Sequence, residues 1–387
     1  MGEMAGQVIV IGAGMYGAAV AASLTRRGAH VTVVEAAAPA GGTSGATFSW
    51  TNSCGKQPRV YHDLCVDAME AHRKLAADAG GDWYHERGNL EWADPDSEAE
   101  RERLRRKVAG VIDYGYEARW LTRAEALELE PEIDPARLPR GDQEEIAYFP
   151  REGWIEPTSL VAHLLSQAVT AGARLVRDDA VTGFDTTAAS GTTGGAVPAV
   201  QAVRLASGRR LPADAVVNCA GPQAADIARL VGLDLPMRNT RGVLVYTSPV
   251  AVAVRRVIHA PYVHIRPDGA GRLLLHSEQI DQAAQISETG EAAVAPGAVE
   301  QVVDAARDLY PGIRAATVES VRVGERPIPA DGLPVLGRAA ALPNFHFAVS
   351  HSGATLSVHA GDLVAAEVLG QDRHLGETLA PFRFERL

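Results

Sequence analysis

The chain has 387 residues, 46% of them apolar and 22% charged, a globular balance too long for one ordinary core, so two domains are expected. A formal net charge of −11 disfavours nucleic acid or an anionic membrane as partner, because neither attracts an acidic surface, and this leaves a small molecule as the expected ligand. Cys54, Cys65 and Cys219 form an odd set without metal-ligand spacing, which argues against a disulfide framework or a metal site and makes the reducing cytoplasm the default; composition leaves the oligomeric state open.

The chain opens on an apolar run, Val8-Ile9-Val10-Ile11, followed by Gly12-Ala13-Gly14-Met15-Tyr16-Gly17, an Ala-rich helix to Leu24, and a second apolar run from His30 that ends on Glu35. Three glycines and a tyrosine interrupt the stretch 8–24, no basic residue precedes it, and Arg26-Arg27 follow at once. It therefore reads as a strand plus a helix, with neither an export signal nor a membrane span. Strand, fingerprint, helix, strand and terminal acid in this order form a dinucleotide-binding βαβ start. Gly12 allows the sharp turn, Gly14 lets backbone approach a pyrophosphate, and Gly17 lets helix pack closely on strand. The helix start directs unpaired N–H groups at the diphosphate, and Glu35 is placed to bind ribose hydroxyls, which argues against a 2′-phosphate.

Residues 36–55 are small and polar, a composition unusual without a ligand to order it, and a helix is expected from about Tyr61 to Ala79. From 80 to 150 the chain becomes more charged and aromatic, and Ser97 to Lys107 reads as a solvated helix face because its charges alternate in sign. A helix from Pro157 to Thr170 leads to strand character at 172–176, then to a β-meander over 180–185 and 199–205, with Ser190 to Gly195 as a mobile hairpin connector. Residues 215–221 end an apolar strand on Ala220-Gly221, as a buried parallel strand does where backbone meets a cofactor. Residues 241–278 alternate like half-buried antiparallel strands, and period-two spacing puts Tyr262, His264 and Arg266 on one polar face, either wet or the wall of a pocket. The last blocks are GERPIPADGLPVLG at 324–337 and FHFAVSHSGATL at 345–356, with a helix to Leu369.

Taken together, the N-terminal fingerprint, the VVNCAG strand at 216–221, the RPxPxDGxPxxG block at 326–337 and the SHSG turn resemble the D-amino-acid oxidase, glycine oxidase and sarcosine oxidase superfamily of FAD-dependent amine oxidoreductases. The resemblance covers essentially the whole chain. It implies an α/β (α+β) fold in which a Rossmann-like FAD-binding domain (1–78, 151–240 and 322–387) is interleaved with a substrate domain (79–150 and 241–321) built on a mainly antiparallel β-sheet with helices. FAD contacts are implied for Gly12, Gly14, Met15, Tyr16, Gly17, Glu35, Thr43, Ser44, Gly45, Ala220, Gly221 and Gly324. The turn Ser352, Gly353 and Ala354, with Thr355 and Leu356, would aim backbone amides at the flavin, with His351 either assisting or packing the turn.

The resemblance also gives Arg326 the task of gripping a substrate carboxylate, for which the forked guanidinium is suited, against the alternatives of an ion pair with Glu325 or a domain-interface bridge. Tyr262 and His264 stand as candidate pocket residues, and Lys56 as a candidate for oxygen activation beside the ordinary reading of a surface lysine. The block 322–337 holds no Cys, and Ser49 and Trp50 stand where covalent members carry a His, so FAD is expected to be non-covalent. Pro222-Gln223 replace the usual aromatic after the VVNCAG strand, which affects adenine-side packing. The implied reaction is hydride transfer from a small amine or amino acid to flavin N5, imine hydrolysis, and reoxidation by O₂ or another acceptor. Alternatives are 2-hydroxy acid oxidation on the same fold, and a non-catalytic flavin-binding protein.

Overall fold

The computed structural model describes residues 6–140, 143–187, 197–286, 292–295, 297–371 and 375–387. The expected connector Ser190 to Gly195 lies outside them. Contacts divide the chain into two compact units: residues 1–45, 157–240 and 325–387 form the first, and residues 46–156 and 241–324 the second.

The first unit is built on a six-stranded sheet in the order Val335–Ala339, Leu342–Val349, Ala215–Asn218, Gln7–Ile11, His30–Val34, Arg174–Val176. All neighbours run parallel except the first pair, which is antiparallel. Its central strands are near-continuous apolar runs because both faces are covered, the pattern a parallel sheet demands. Helices Met15–Arg26, Pro157–Thr170 and Gly353–Val368 pack together in this unit. The closeness of the first and last is set by Gly361, where a Cβ would stand 2.8 Å from that of Ala19. A meander of Val181–Thr186, Val200–Leu205 and Arg210–Pro212 packs Phe184, Val200 and Val203 into one core with Ile9, Val216 and Phe345.

The second unit carries an eight-stranded sheet in the order Val318–Arg326, Thr240–Thr247, Arg272–His276, Val263–Asp268, Val257–Ala260, Asn89–Glu91, Ile146–Phe149, Arg119–Leu121. Apart from the parallel pair of Val257–Ala260 with Asn89–Glu91, the registered pairs are antiparallel. Residues Val243, Val245, Ile258, Ile265 and Leu275 share a core with helix Ala298–Leu309. Alternation therefore turns Tyr246, His259, His264, Arg266 and His276 to the opposite face.

Residues 46–78 belong to this second unit by contacts, a different division from the boundary expected at 78. The reason is pairing: Trp50–Thr51 and Tyr84–Glu86 flank Gly153–Ile155 in a three-stranded sheet, and helix Arg59–Ala79, stopped by Gly80 in the left-handed region, contributes Met69 to the core of Leu104, Val108 and Phe149. The charged stretch 97–107 forms the start of helix Glu98–Asp113, capped by the Ser97 hydroxyl, with Arg101 and Arg105 paired to Glu98. Lys107 departs from the solvated reading: it pairs with Glu91 at 2.6 Å and stands over the rings of Trp50 and Phe149.

Candidate functional site

In the first unit the expected cofactor residues gather along the C-terminal edge of the parallel sheet, where ligands bind in open α/β folds. Gly12 has φ +97°, and a Cβ there would lie 2.5 Å from the Cys219 carbonyl oxygen and 3.3 Å from Ala220 Cα. At Gly17 a Cβ would lie 1.8 Å from the Gly12 carbonyl oxygen. These two glycines hold turn, helix and neighbouring strand together, while Gly14 is hemmed in only by the Ser44 hydroxyl, 2.9 Å from a Cβ placed there. Ser44 in turn accepts the Met15 amide at 3.0 Å, and the neighbouring Thr43 hydroxyl donates to the Glu325 carbonyl, which ties the segment Thr43–Gly45 to the fingerprint. Asn218 braces the turn at Ala220-Gly221 by accepting the Ala220 amide and donating to the Ala224 carbonyl.

Glu35 sits at the fingerprint as the sequence implied. Its two oxygens accept the amides of Ala13 at 2.7 Å and Ala37 at 3.0 Å. A carboxylate has about four acceptor positions, so this leaves capacity for ribose hydroxyls. The starts of helices Met15–Arg26 and Gly353–Val368 are adjacent, since a Cβ on Gly353 would stand 3.5 Å from the Tyr16 ring and 3.6 Å from Met15. Tyr16 is fixed by a 2.7 Å hydrogen bond to Ser350. Neither N-cap residue, Gly14 or Ser352, caps its helix with its own side chain, and neither helix carries an acid in its first turn. Two positive dipole ends thus lie side by side, the electrostatic setting for a diphosphate and an electron-rich ring. Thr355 and Leu356 spend their amides on the Ser352 carbonyl, which sets Gly353 and Ala354 as the first-turn residues ahead of them.

Arg326 ends the strand Val318–Arg326 and is partly buried. The adjoining Glu325 carboxylate accepts from Asn239 Nδ2 at 3.1 Å, and Asn239 Oδ1 accepts the Ile328 amide, so the block is pinned to residue 239.

In the second unit Gly324 is required by a close approach: a Cβ there would lie 2.2 Å from the Ala46 carbonyl oxygen. His259, His264 and His276 stand side by side on three adjacent strands, as the registers His259↔His264 and His264↔His276 require. Ring centroids are 4.6 Å apart for the first pair and 5.5 Å for the second, and Phe48 lies within 6.5 Å of all three. Burial, reinforced by the positive potential of neighbouring groups, pushes His264 down to about 3 and His259 well below the usual histidine range, so both imidazoles are neutral at neutral pH. Among the described residues, His264 Nδ1 is buried without a hydrogen-bond partner. His276 Nε2 is 2.9 Å from Asp281.

The expected face of Tyr262, His264 and Arg266 needs correction. Ala260 pairs with Val263, so Pro261 and Tyr262 form a two-residue hairpin turn and Tyr262 lies outside the strand. The residue is 60% exposed and its hydroxyl bonds Asp94. Arg266 does share the face of His264 but is neither wet nor a pocket wall: it is 1% exposed, donates to the Phe48 carbonyl at 2.6 Å, and pairs with Glu156 and Asp268 at 3.5 and 3.3 Å. Lys56 stands over the Tyr61 ring at 5.5 Å. Lys56, Tyr262 and His264 thus have separate partners within the unit.

Sequence reasoning missed Glu152. This fully buried carboxylate accepts the amides of Ser53 and Cys54 and the indole N–H of Trp50, and it fixes the segment 50–54 at one end as Arg266 fixes Phe48 at the other. Burial raises its pKa above the usual carboxylate range, opposed by Lys107 and the amide donors. No local signal marks it, because Pro150-Arg151-Glu152-Gly153 reads as an ordinary polar turn.

With this geometry in view, the comparisons are decisive for the family. Residues 7–367 match the family described as FAD dependent oxidoreductase (DAO). The chain belongs to the DAO family of FAD-dependent oxidoreductases. This DAO-family chain is 28% identical to a glycine oxidase of Geobacillus kaustophilus over 397 residues, covering 98% of the chain and 96% of that protein. It is 29% identical to a D-amino-acid oxidase of Bradyrhizobium diazoefficiens over 346 residues, covering 86% and 75%. The solved glycine oxidase structure from Geobacillus kaustophilus superposes with a TM-score of 0.80 at 26% identity over 100% of both chains. FAD is therefore the cofactor, and the glycine cradle, Glu35 and the paired helix starts fit it. Among the described residues no group of three His, Cys, Asp or Glu could hold a metal, and no helix is long and apolar enough to cross a membrane.

Proposed function

We propose that this DAO-family protein oxidises the C–N bond of a small amino acid, with FAD held non-covalently. The observation that carries the reading is the likeness over nearly the whole chain to a glycine oxidase, supported by a D-amino-acid oxidase relative. FAD, when bound, supplies the acceptor for a hydride from the substrate α-carbon.

The chain's own residues provide orientation. Arg326 grips the substrate carboxylate with a forked pair of N–H donors. Glu35 takes the ribose hydroxyls, the fingerprint helix faces the diphosphate, and the Gly353-Ala354 amides stabilise negative charge on the flavin. Water hydrolyses the imine to a keto acid or aldehyde, releasing ammonia or a smaller amine. O₂ would be the expected electron acceptor, with peroxide as the second product. The buried thiols Cys54, Cys65 and Cys219, none of them in a disulfide, accord with work in a reducing cytoplasm.

The test is anaerobic bleaching of the flavin absorbance by a panel of amino acids, simple amines and 2-hydroxy acids, followed by peroxide assay in air. Amino acids should bleach fastest. Bleaching by hydroxy acids alone would move the protein to C–O oxidation, and no bleaching by any of them would make it a flavin-binding protein without this chemistry.

A further inference from the structure

The two oxygens of Glu152 accept from two sets of residues that share only Cys54. Oε1 accepts the Ser53 and Cys54 amides at 3.1 and 2.8 Å and the Tyr116 hydroxyl at 3.4 Å. Oε2 accepts the Trp50 indole N–H at 3.1 Å, the Asn89 amide at 3.4 Å and the Cys54 thiol at 3.4 Å. Two of these donors, Trp50 and Asn89, converge on one imidazole. Trp50 lies against the face of His259 with centroids 4.1 Å apart, and Asn89 Oδ1 meets His259 Nδ1 at 2.8 Å.

Donor and acceptor roles follow from chemistry. Backbone and indole N–H groups can only donate, so Glu152 must present acceptor oxygens to them. The end of Asn89 turned toward Oε2 is then its NH₂, and the end turned toward His259 is its carbonyl oxygen, which can only accept. A neutral His259 must therefore carry its proton on Nδ1 and keep its lone pair on Nε2.

We propose that Glu152 is a positioning residue of the histidine row: it holds His259 as the Nδ1–H tautomer, by the edge through Asn89 and by the face through Trp50, and so fixes the ring that packs on His264. The tautomer is read without substrate, so failure of this relay and failure of the proposed reaction are separate results.

The measurement is nitrogen-15 NMR of the FAD-loaded protein labelled on its histidine rings, with His259 assigned by its loss in His259→Asn. In the wild type, Nδ1 of His259 should resonate as a protonated nitrogen. In Glu152→Gln the backbone donors cannot rotate and will claim the remaining oxygen, which turns the new NH₂ toward Asn89. Asn89 should then flip and donate to His259, moving the proton to Nε2. Asn89→Leu removes the edge route and leaves Glu152 its other donors, so it should release His259 to a mixture of tautomers. A wild-type His259 protonated on Nε2 overturns the proposal, as does an unchanged Nδ1–H signal in Asn89→Leu. An unchanged Nδ1–H signal in Glu152→Gln overturns it as well, and where that variant does not fold the other two samples still test the link through Asn89.

Discussion

Gly353 rests against the ring of Tyr16, with room for a Cβ at 3.5 Å and no more. This contact sets the starts of the first and last helices of the parallel-sheet unit side by side. Gly353→Ala should keep most FAD affinity, because 3.5 Å is ordinary van der Waals distance. Gly353→Val adds methyls that Tyr16, held by Ser350, cannot escape. Crowding of this kind costs about 1–3 kcal/mol, roughly five- to a hundredfold in affinity. Titration of the apoprotein with FAD measures it, and equal affinities for the two variants would show that the helix starts are not packed as described.

Glu35 accepts two amides and should accept ribose hydroxyls as well. Glu35→Gln retains shape but weakens charge-assisted bonding, so FAD binding should fall by about 1.5–3 kcal/mol, on the order of ten- to a hundredfold. An unchanged dissociation constant would mean that this acid does not meet the ribose. Heating or acid precipitation should leave the released flavin in the supernatant, whereas colour that stays with the protein would show a covalent link.

What was legible in the sequence divides along a physical line. Val8–Ile11 and Ala215–Asn218 read correctly because strands covered on both faces become continuous apolar runs, and the fingerprint read correctly because its glycines answer local geometry at Gly12 and Gly17. Tyr262 was misplaced since alternation carries on through a two-residue turn without a mark. Arg266 and Glu152 were hidden for a different reason. Each is an ionisable side chain whose meaning comes from partners far along the chain, Phe48 218 residues away for Arg266 and Cys54 98 away for Glu152, and no local pattern encodes such a pairing.

Arg326 should anchor the substrate carboxylate. Removing one partner of a desolvated charge pair costs about 2–5 kcal/mol, so Arg326→Ala should lower kcat/KM roughly thirty- to several-thousandfold. Arg326→Lys should recover only part, because an ammonium lacks the planar fork. Flavin content should hardly change. The decisive comparison sets an amino acid against its decarboxylated amine, and equal losses for both would show that Arg326 shapes the pocket without gripping a carboxylate.

Glu130 should make the antiparallel-sheet unit less stable as pH rises. Its carboxylate is buried, accepts the Arg255 amide at 3.1 Å and the Tyr310 hydroxyl at 3.3 Å, and lies 3.4 Å from Arg256. Burial outweighs these partners and raises its pKa from 4.5 to about 7. The folded state therefore binds a proton that the unfolded chain has already lost between those values, and stability falls as pH rises through that window. The stabilisation is complete below about pH 4.5 and gone above pH 7, a change of about 3 kcal/mol at 1.36 kcal/mol per pKa unit. Glu130→Gln removes the titration. Measured by urea unfolding at pH 4.5 and pH 8, the stability of wild type relative to Glu130→Gln should drop by about that amount between the two conditions. Parallel pH profiles for the two proteins would show that Glu130 keeps its ordinary carboxylate behaviour, with Arg256 and the Arg255 amide compensating its burial in full.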